Sequence, residues 1–276
     1  MLGRGTLINP DIFLKEVKEN KLEGRIFIDR GCTIIEPHHI VAEKELVERI
    51  GAVGTGVGPA RVDRVLRSAK LAKDIPKLKK YLTDVAEEVE KAIIAKKDVL
   101  IEGVQGYGLS LFDYRYYPYV TSQDTTASQF AADTGIGPLS VNNVIVIFKA
   151  YVSRVGTDPT YKEWSESKAK KMGIEERGTV SGRKRKLSDF NINMAAEAIN
   201  RNSGHLAVLT CIDRLFPGNE SVREYKKLTK DAKDFIKVFG NPDKKKAPRF
   251  SGFQNISKGP QPQRNSRSLV ISPLGK

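Results

Sequence analysis

The chain has 276 residues, 39% of them apolar, and a formal net charge of +14. This apolar content is enough for a packed core in one large domain or two small ones, and no apolar run approaches the ~20 residues that cross a bilayer. We expect neither a membrane segment nor a signal peptide, and the two widely separated cysteines indicate a reducing, cytoplasmic setting rather than disulfides or a cysteine-bound metal.

The positive charge is concentrated near the C-terminus. Residues 223–276 contain 14 Lys or Arg and 4 Asp or Glu, a net charge of +10, and the preceding 222 residues carry only +4. A solvated basic tail accounts for this distribution, and a nucleic-acid-binding tail is the alternative.

Helical patterns dominate the first hundred residues. A proline suits the first turn of a helix, where its missing N–H costs nothing, so Pro59 marks a helix start. Gly51 marks a helix end. The predicted helices cover residues 11–20, residues 38–50, a segment that begins at Pro59, and residues 76–97, and the predicted short strands cover residues 25–29 and 32–35.

Later in the chain, apolar runs alternate with helical segments. The runs cover residues 99–102, 144–151, 206–213 and 269–272, and near-continuous apolar runs are typical of parallel strands buried on both faces. The sequence therefore predicts an α/β fold, a central, mostly parallel sheet flanked by helices. We expect a single domain over residues 1–276, in which the proline- and lysine-rich residues 240–268 form a flexible basic loop or tail.

A first candidate site is the glycine-rich stretch over residues 51–67. Glycines precede a helix there, and backbone N–H groups at a helix N-terminus can hold an anion. Arg61, Arg64 and Arg67 follow at helical spacing and form a cationic face. A tight connection followed by a solvated helix face is the alternative.

A second candidate begins at residue 99, where an apolar run breaks into glycines and then into hydroxyl side chains. The amide of Gln105 could read a base edge or a carbonyl, and Thr121 and Ser122 could bind a phosphate. A β-turn with ordinary Ser and Thr capping is the alternative.

A third candidate covers residues 177–189, where Gly178, Ser181 and Gly182 lead into four basic residues that include Arg183. Small residues allow close backbone approach, and guanidinium groups pair with carboxylates and phosphates. The pattern favours a small anion, and a nuclear-localisation or nucleic-acid patch is the alternative.

The fourth candidate is Asp213, which follows an apolar strand. Ligands of open α/β proteins bind at the carboxyl edge of the sheet. One carboxylate can accept hydrogen bonds from N1–H and the exocyclic amine of guanine, and adenine offers no such pair. A helix cap or turn is the alternative. His38, His39 and His205 form no ligand set in the sequence, and we assign them no chemistry.

In this order, the four segments resemble the adenylosuccinate synthetase family. The most specific stretch, residues 117–156, contains YPYVTSQDTTAS, GIGP and KAYVSRVG. The resemblance implies a P-loop-NTPase-like sheet and the GTP- and Mg²⁺-dependent ligation of IMP with L-aspartate in AMP biosynthesis. It also implies a cytoplasmic homodimer that uses neither a membrane nor nucleic acid as a partner.

The resemblance also implies roles for individual residues, with Arg67 reaching across a dimer interface to the IMP of the partner. The implied IMP-binding residues are Gln105, Thr121, Arg67, Val155, Gly156 and Arg183. The implied aspartate-binding residues are Thr179, Val180, Ser181, Gly182 and Arg183. The implied GTP-binding residues are Arg185, Cys211, Ile212, Asp213 and Ser272.

The chain departs from the family pattern at several positions. Cys211 stands where the family has a lysine, and Val53 and Val180 stand where it has threonines. The first strand, the phosphate loop, the catalytic aspartate and histidine, and the magnesium ligands of the family have no counterpart in the chain. The catalytic residues are therefore unknown. Three interpretations remain: a synthetase whose chain starts at an internal methionine, a shortened and inactive purine-nucleotide-binding homologue, and a basic nucleic-acid-binding protein.

Overall fold

A computed structural model describes residues 1–156, 162–178, 182–222, 224–240, 250–254 and 268–273. The chain divides into two compact units, Met1–Asn142 and Asn143–Lys276. Within the part that the model describes, no helix has both the length and the apolar character needed to span a bilayer.

The first unit contains six helices and two pairs of short parallel strands among its described residues. The helices are α1 (Pro10–Glu19), α2 (Pro37–Ala42), α3 (Lys44–Ile50), α4 (Val57–Leu66), α5 (Val85–Ile94) and α6 (Ala127–Thr134), with 3₁₀ turns at Ala72–Asp74, Pro76–Tyr81 and Pro138–Ser140. Strand β1 (Leu7–Ile8) pairs with β3 (Thr33–Ile34), and β2 (Ile28–Asp29) pairs with β4 (Leu82–Thr83).

Helix α1 shows how the sequence produces the apolar core of the first unit. The side chain of Asn9 accepts hydrogen bonds from the first-turn N–H groups, and Pro10 occupies the first helical turn, as the capping rules require. Phe13 and Val17 lie on the same face and are buried. They pack in one apolar cluster with Ile8, Ile28, Cys32, Ile34, Ala72, Leu78 and Tyr81.

The second unit is built on a four-stranded sheet. Its order is β5 (Ile145–Lys149), β8 (Leu206–Thr210), β10 (Ser268–Pro273), β9 (Phe250–Gln254). A separate antiparallel pair joins β6 (Val152–Arg154) to β7 (Lys186–Ser188). The described helices are α7 (Glu166–Lys171), α8 (Ile192–Arg201), α9 (Ile212–Leu215) and α10 (Lys230–Gly240), with a 3₁₀ turn at Tyr225–Lys227.

The sheet is only partly parallel. Strands β5 and β8 run parallel, as predicted, but β10 pairs antiparallel with both β8 and β9. The expectation of a parallel strand over residues 269–272 was wrong because an apolar run encodes burial, whereas strand direction is set by the connections between strands.

Two predicted helices are interrupted. Residues 38–50 form α2 and α3, which meet at Glu43, a buried residue whose side chain turns inward. Residues 76–97 form a 3₁₀ turn, strand β4 and helix α5, because Leu82 and Thr83 pair with β2 and the side chain of Asp84 caps α5.

The predicted strand over residues 99–102 has no regular structure. Leu100 is 83% exposed and Val99 is 40% exposed, and Ile101 is only half-buried, so this apolar run is not buried on both faces. A strand forms where its backbone N–H and C=O groups pair with a neighbouring strand. No described strand pairs with this run.

The predicted flexible basic segment, residues 240–268, lies mostly outside the described residues. Within it, the structure describes Gly240, strand β9 and Ser268.

Candidate functional site

In the first unit, the segments that carry Gln105 and Thr121 are joined in one loop. The backbone N–H of Thr121 donates to Leu109 O at 2.8 Å. The hydroxyl of Thr125 donates to Gly106 O at 3.2 Å, which ties the glycine bend to the hydroxyl-rich segment. Gln105 is exposed in this bend, and Thr121 is half-buried.

The glycine-rich loop before α4 already holds a carboxylate. Glu43, which is 6% exposed, accepts hydrogen bonds from the N–H groups of Gly56 at 2.5 Å and Gly58 at 3.3 Å. The N–H groups at this helix N-terminus were predicted to hold an anion. The anion in the structure is a side chain of the same chain.

Arg67 ends helix α4. It lies in the left-handed region, with φ 65°, and its Nη1 donates to Val65 O at 2.6 Å. The side chain is exposed. Arg61, the first arginine of the predicted cationic face, is instead half-buried and donates to the side-chain amide oxygen of Gln123. Desolvation by burial lowers the pKa of Arg61.

In the second unit, the third candidate forms a tight loop. Gly178 N–H donates to Arg183 O at 2.8 Å, and Gly182 N–H donates to Gly178 O at 2.8 Å. Arg183 and Arg185 are half-buried. Thr179, Val180 and Ser181, which were predicted to bind aspartate, lie outside the described residues.

The fourth candidate lies at the carboxyl end of β8. Cys211 and Ile212 are buried, and Cys211 adopts φ 60°, so the chain turns sharply from strand into α9. This turn leaves Asp213 half-buried, and its Oδ1 is a buried acceptor with no hydrogen-bond partner in the described protein. A buried carboxylate oxygen without a donor is costly, so Asp213 is a candidate ligand-binding group.

Three predicted site residues share a backbone feature. The described chain has six non-glycine residues with positive φ, and Arg67, Gln105 and Cys211 are among them. Such conformations cost free energy and concentrate at functional sites. Of the remaining predicted residues, Val155 and Gly156 follow β6, with Gly156 at φ 96°, and Ser272 lies in β10.

Glu176 joins the candidate segments of the second unit. Its Oε2 accepts from Lys149 Nζ at 2.6 Å and from Ser153 Oγ at 2.5 Å. Its Oε1 accepts from Tyr151 Oη at 2.6 Å and from Arg214 Nη1 at 3.3 Å. The side chain is 9% exposed.

These donors control the charge of Glu176. Burial alone raises the pKa of this carboxyl, but hydrogen bonds from Lys149, Ser153 and Tyr151 outweigh it and lower the pKa to about 2. Burial, followed by the hydrogen bond to Glu176, raises the pKa of Tyr151. The carboxylate therefore stays ionised and the phenol stays protonated near neutral pH.

One group of described residues has the composition of a metal site. The ligand atoms of His38, His39 and Asp63 lie within 4.8 Å of one another. His39 Nδ1 accepts from Glu36 N–H at 2.9 Å, so its Nε2 carries the proton and donates to Asp63 Oδ2 at 2.9 Å. Neither ring nitrogen of His39 offers a free lone pair, and Mg²⁺ prefers oxygen ligands. This group therefore does not fit Mg²⁺.

Comparison with known proteins decides the family. The family model described as adenylosuccinate synthetase matches residues 69–223, more than half of the chain. The adenylosuccinate synthetase of Methanosphaera stadtmanae is 48% identical over 242 residues, which cover 86% of this chain and 71% of that protein. That of Archaeoglobus fulgidus is 49% identical over 239 residues, with the same coverage of both chains. The chain belongs to the adenylosuccinate synthetase family. This confirms the predicted family and ligase class.

Solved structures show that the synthetase fold is present as well. The fully ligated adenylosuccinate synthetase of Plasmodium falciparum matches with a TM-score of 0.78 at 20% identity, over 87% of this chain and 79% of that one. The succinoaminodeoxyadenylate synthetase of cyanophage S-2L, bound to dGMP and dATP, matches with a TM-score of 0.63 at 24% identity, over 73% of this chain and 62% of that one. The predicted α/β fold class is confirmed.

The sequence missed two buried carboxylates of this synthetase homologue, Glu43 and Glu176. Each lies in a charged segment whose composition is typical of an exposed helix or loop, and its hydrogen-bond partners are distant in the chain. The one local signal is for Glu176, an acidic residue beside the glycine and arginine run of the third candidate. The His39–Asp63 pair was also missed, because it joins α2 to α4.

Proposed function

We propose that this synthetase homologue ligates IMP and L-aspartate to adenylosuccinate at the expense of GTP, with release of GDP and phosphate, in AMP biosynthesis. The observation that carries the proposal is the buried, unpartnered Oδ1 of Asp213 at the carboxyl end of β8. In this reaction the 6-oxygen of IMP takes the γ-phosphoryl group of GTP, and the amine of aspartate then displaces phosphate.

Asp213 reads the guanine base in this proposal. Its carboxylate accepts from guanine N1–H and from the exocyclic amine, which gives the unpartnered oxygen its donor. Adenine presents an acceptor at N1, so ATP leaves the carboxylate unsatisfied, and a polar site rejects a ligand that leaves its buried groups unpaired. Cys211 and Ile212 line the same turn, with Ser272 and Arg185 as further GTP contacts.

The remaining groups bind the other two substrates. Gln105 and Thr121 contact IMP, and the compact loop that joins their segments supports this assignment. Val155 and Gly156 line the IMP pocket. Arg183, with its planar guanidinium, pairs with the carboxylate of L-aspartate beside Gly182, and Thr179, Val180 and Ser181 complete that segment.

The proposal names no magnesium ligand among the residues of this chain. Adenylosuccinate synthetases generally depend on Mg²⁺, but the one candidate metal group among the described residues does not fit that ion. We therefore assign no step to Mg²⁺ on the residues of this chain.

We also infer a homodimer with helix α4 in its interface. Val62, Val65 and Leu66, at i, i+3 and i+4, form an apolar stripe on α4, and their exposed fractions are 57%, 66% and 67%. An exposed stripe of this kind favours a partner surface. Arg67 follows it directly and reaches the IMP of the partner subunit in this proposal. The free, buried Cys32 and Cys211 support the proposed cytoplasmic location.

Replacement of Asp213 by Asn tests the function. The variant places an amide N–H₂ toward the guanine donors, so we expect GTP binding, measured by calorimetric titration, to weaken about tenfold or more. ATP binding should be absent in the parent chain. Asp231→Asn, an exposed change in the first turn of α10, is the control and should bind GTP as the parent does. A parent chain that binds ATP as tightly as GTP would contradict the guanine assignment.

A further inference from the structure

Glu176 connects three segments that the proposed function uses. Through Ser153 it holds strand β6, which leads to Val155. Its backbone carbonyl accepts from Arg185 N–H at 2.8 Å, which fixes the segment at the C-terminal end of the third candidate loop. Its Oε1 accepts from Arg214, the residue that follows Asp213.

The hydrogen bonds of Glu176, here called the Glu176 network, also connect the C-terminal end of β5 with the helix that follows β8. Lys149 is the last residue of β5, and Arg214 lies in α9, which follows β8. The backbone supports the same arrangement, since Ala150 N–H donates to Thr210 O at 2.9 Å. One carboxylate is therefore bonded to the last residue of β5 and to the helix that follows β8, at the edge of the sheet where ligands bind in α/β proteins.

Only a carboxylate satisfies this arrangement. Each oxygen of Glu176 accepts two hydrogen bonds, and one donor on each oxygen is a cation that cannot accept in return, Lys149 on Oε2 and Arg214 on Oε1. A glutamine would turn its N–H₂ toward one of these two cations in either rotamer. The neutral side chain would also leave both cations without their shared counter-charge.

We propose that Glu176 is a positioning residue of the synthetase, whose carboxylate holds the segments around Val155, Arg183–Arg185 and Asp213 in the geometry that binds GTP and L-aspartate. Glu176 does not contact a substrate in this proposal. It acts through Arg214 on the turn that carries Asp213, and through the backbone of Arg185 on the arginine loop. The inference rests on the proposed function, because that function assigns the substrates to these segments.

The test compares Glu176→Gln with Glu175→Gln. Glu175 is the neighbouring residue, exposed and paired with Arg177 at 3.0 Å, so its variant carries the same change of charge without touching the network. Calorimetric titrations with GTP and with L-aspartate are made on each folded variant, well below its own melting midpoint. We expect Glu176→Gln to weaken both affinities about tenfold or more, and Glu175→Gln to leave both within about twofold of the parent.

This readout separates positioning from stability. A purely structural Glu176 would lower the melting midpoint and leave the affinities of the folded variant unchanged, and that result would overturn the proposal. If Glu176→Gln does not fold, Tyr151→Phe replaces it, since that variant keeps the buried ring and removes one donor to Oε1. It should weaken both affinities about threefold, and unchanged affinities would overturn the proposal. A parent chain that binds neither probe would overturn the proposed function and this inference together.

Discussion

At the residue scale, the candidate site depends on two buried carboxylates with opposite hydrogen bonding. Asp213 has a buried oxygen without a donor, whereas Glu176 has four donors for its two oxygens. In the proposed function the first group accepts hydrogen bonds from a ligand, and the second organises the backbone around it. Both follow from the rule that a buried polar atom is paired or serves a function.

The pKa of Glu176 predicts how stability depends on pH. Its pKa is about 2 in the folded chain against an ordinary value of 4.5. A carboxyl with a lowered folded pKa stabilises the protein above its unfolded pKa, and that contribution is lost as pH falls toward the folded value. The parent should exceed Glu176→Gln in free energy of unfolding by up to about 3 kcal/mol near neutral pH.

Urea unfolding monitored by circular dichroism measures this difference at several pH values. We expect the difference between the two chains to shrink as pH falls from about 4.5 to about 2. A difference that stays constant over that range would show that the charge of Glu176 does not stabilise the fold.

At the element scale, Glu43 decides both a helix boundary and the shape of the glycine loop. It separates α2 from α3, and its carboxylate caps the N-terminus of α4 through Gly56 and Gly58. One buried side chain thereby fixes three helices relative to one another. The helix dipole of α4 favours a negative charge at this position.

Replacement of Glu43 by Gln should therefore destabilise the chain. The amide has one acceptor oxygen for two N–H donors, so one buried donor is left poorly paired, at a cost of about 1–3 kcal/mol. Glu45→Gln, an exposed change in the first turn of α3, should alter the free energy of unfolding by less than about 0.5 kcal/mol. Equal stabilities of the two variants in urea unfolding would contradict the role of Glu43.

The elements that the sequence predicted well are those whose signals are local. Strands β5 and β8 lie within their predicted apolar runs, and α1 lies between the cap at Asn9 and Asn20. The prediction for residues 76–97 failed because pairing of Leu82 with Ile28 interrupts the helical pattern, and that contact joins distant parts of the chain. The roles of Glu43 and Glu176 also depend on donors distant in the chain, and the one local signal, the position of Glu176 beside the glycine and arginine run, did not reveal its role.

At the scale of the whole molecule, the predicted site residues are shared between the two compact units. Arg67, Gln105 and Thr121 belong to Met1–Asn142, and Arg183 and Asp213 belong to Asn143–Lys276. The order of these residues along the chain carried the family resemblance, and relatives 48% and 49% identical confirm the family. Their roles stay predictions, because each depends on a ligand contact rather than on a fold.

A crystal structure of the chain with IMP, GDP and L-aspartate tests the central claim most directly. The account predicts that Gln105 and Thr121 contact IMP, Arg183 contacts L-aspartate, and both carboxylate oxygens of Asp213 face donors of guanine. It also predicts two copies joined through α4, with Arg67 of each at the IMP of the other. Guanine bound away from Asp213, or IMP away from Gln105 and Thr121, would contradict the account.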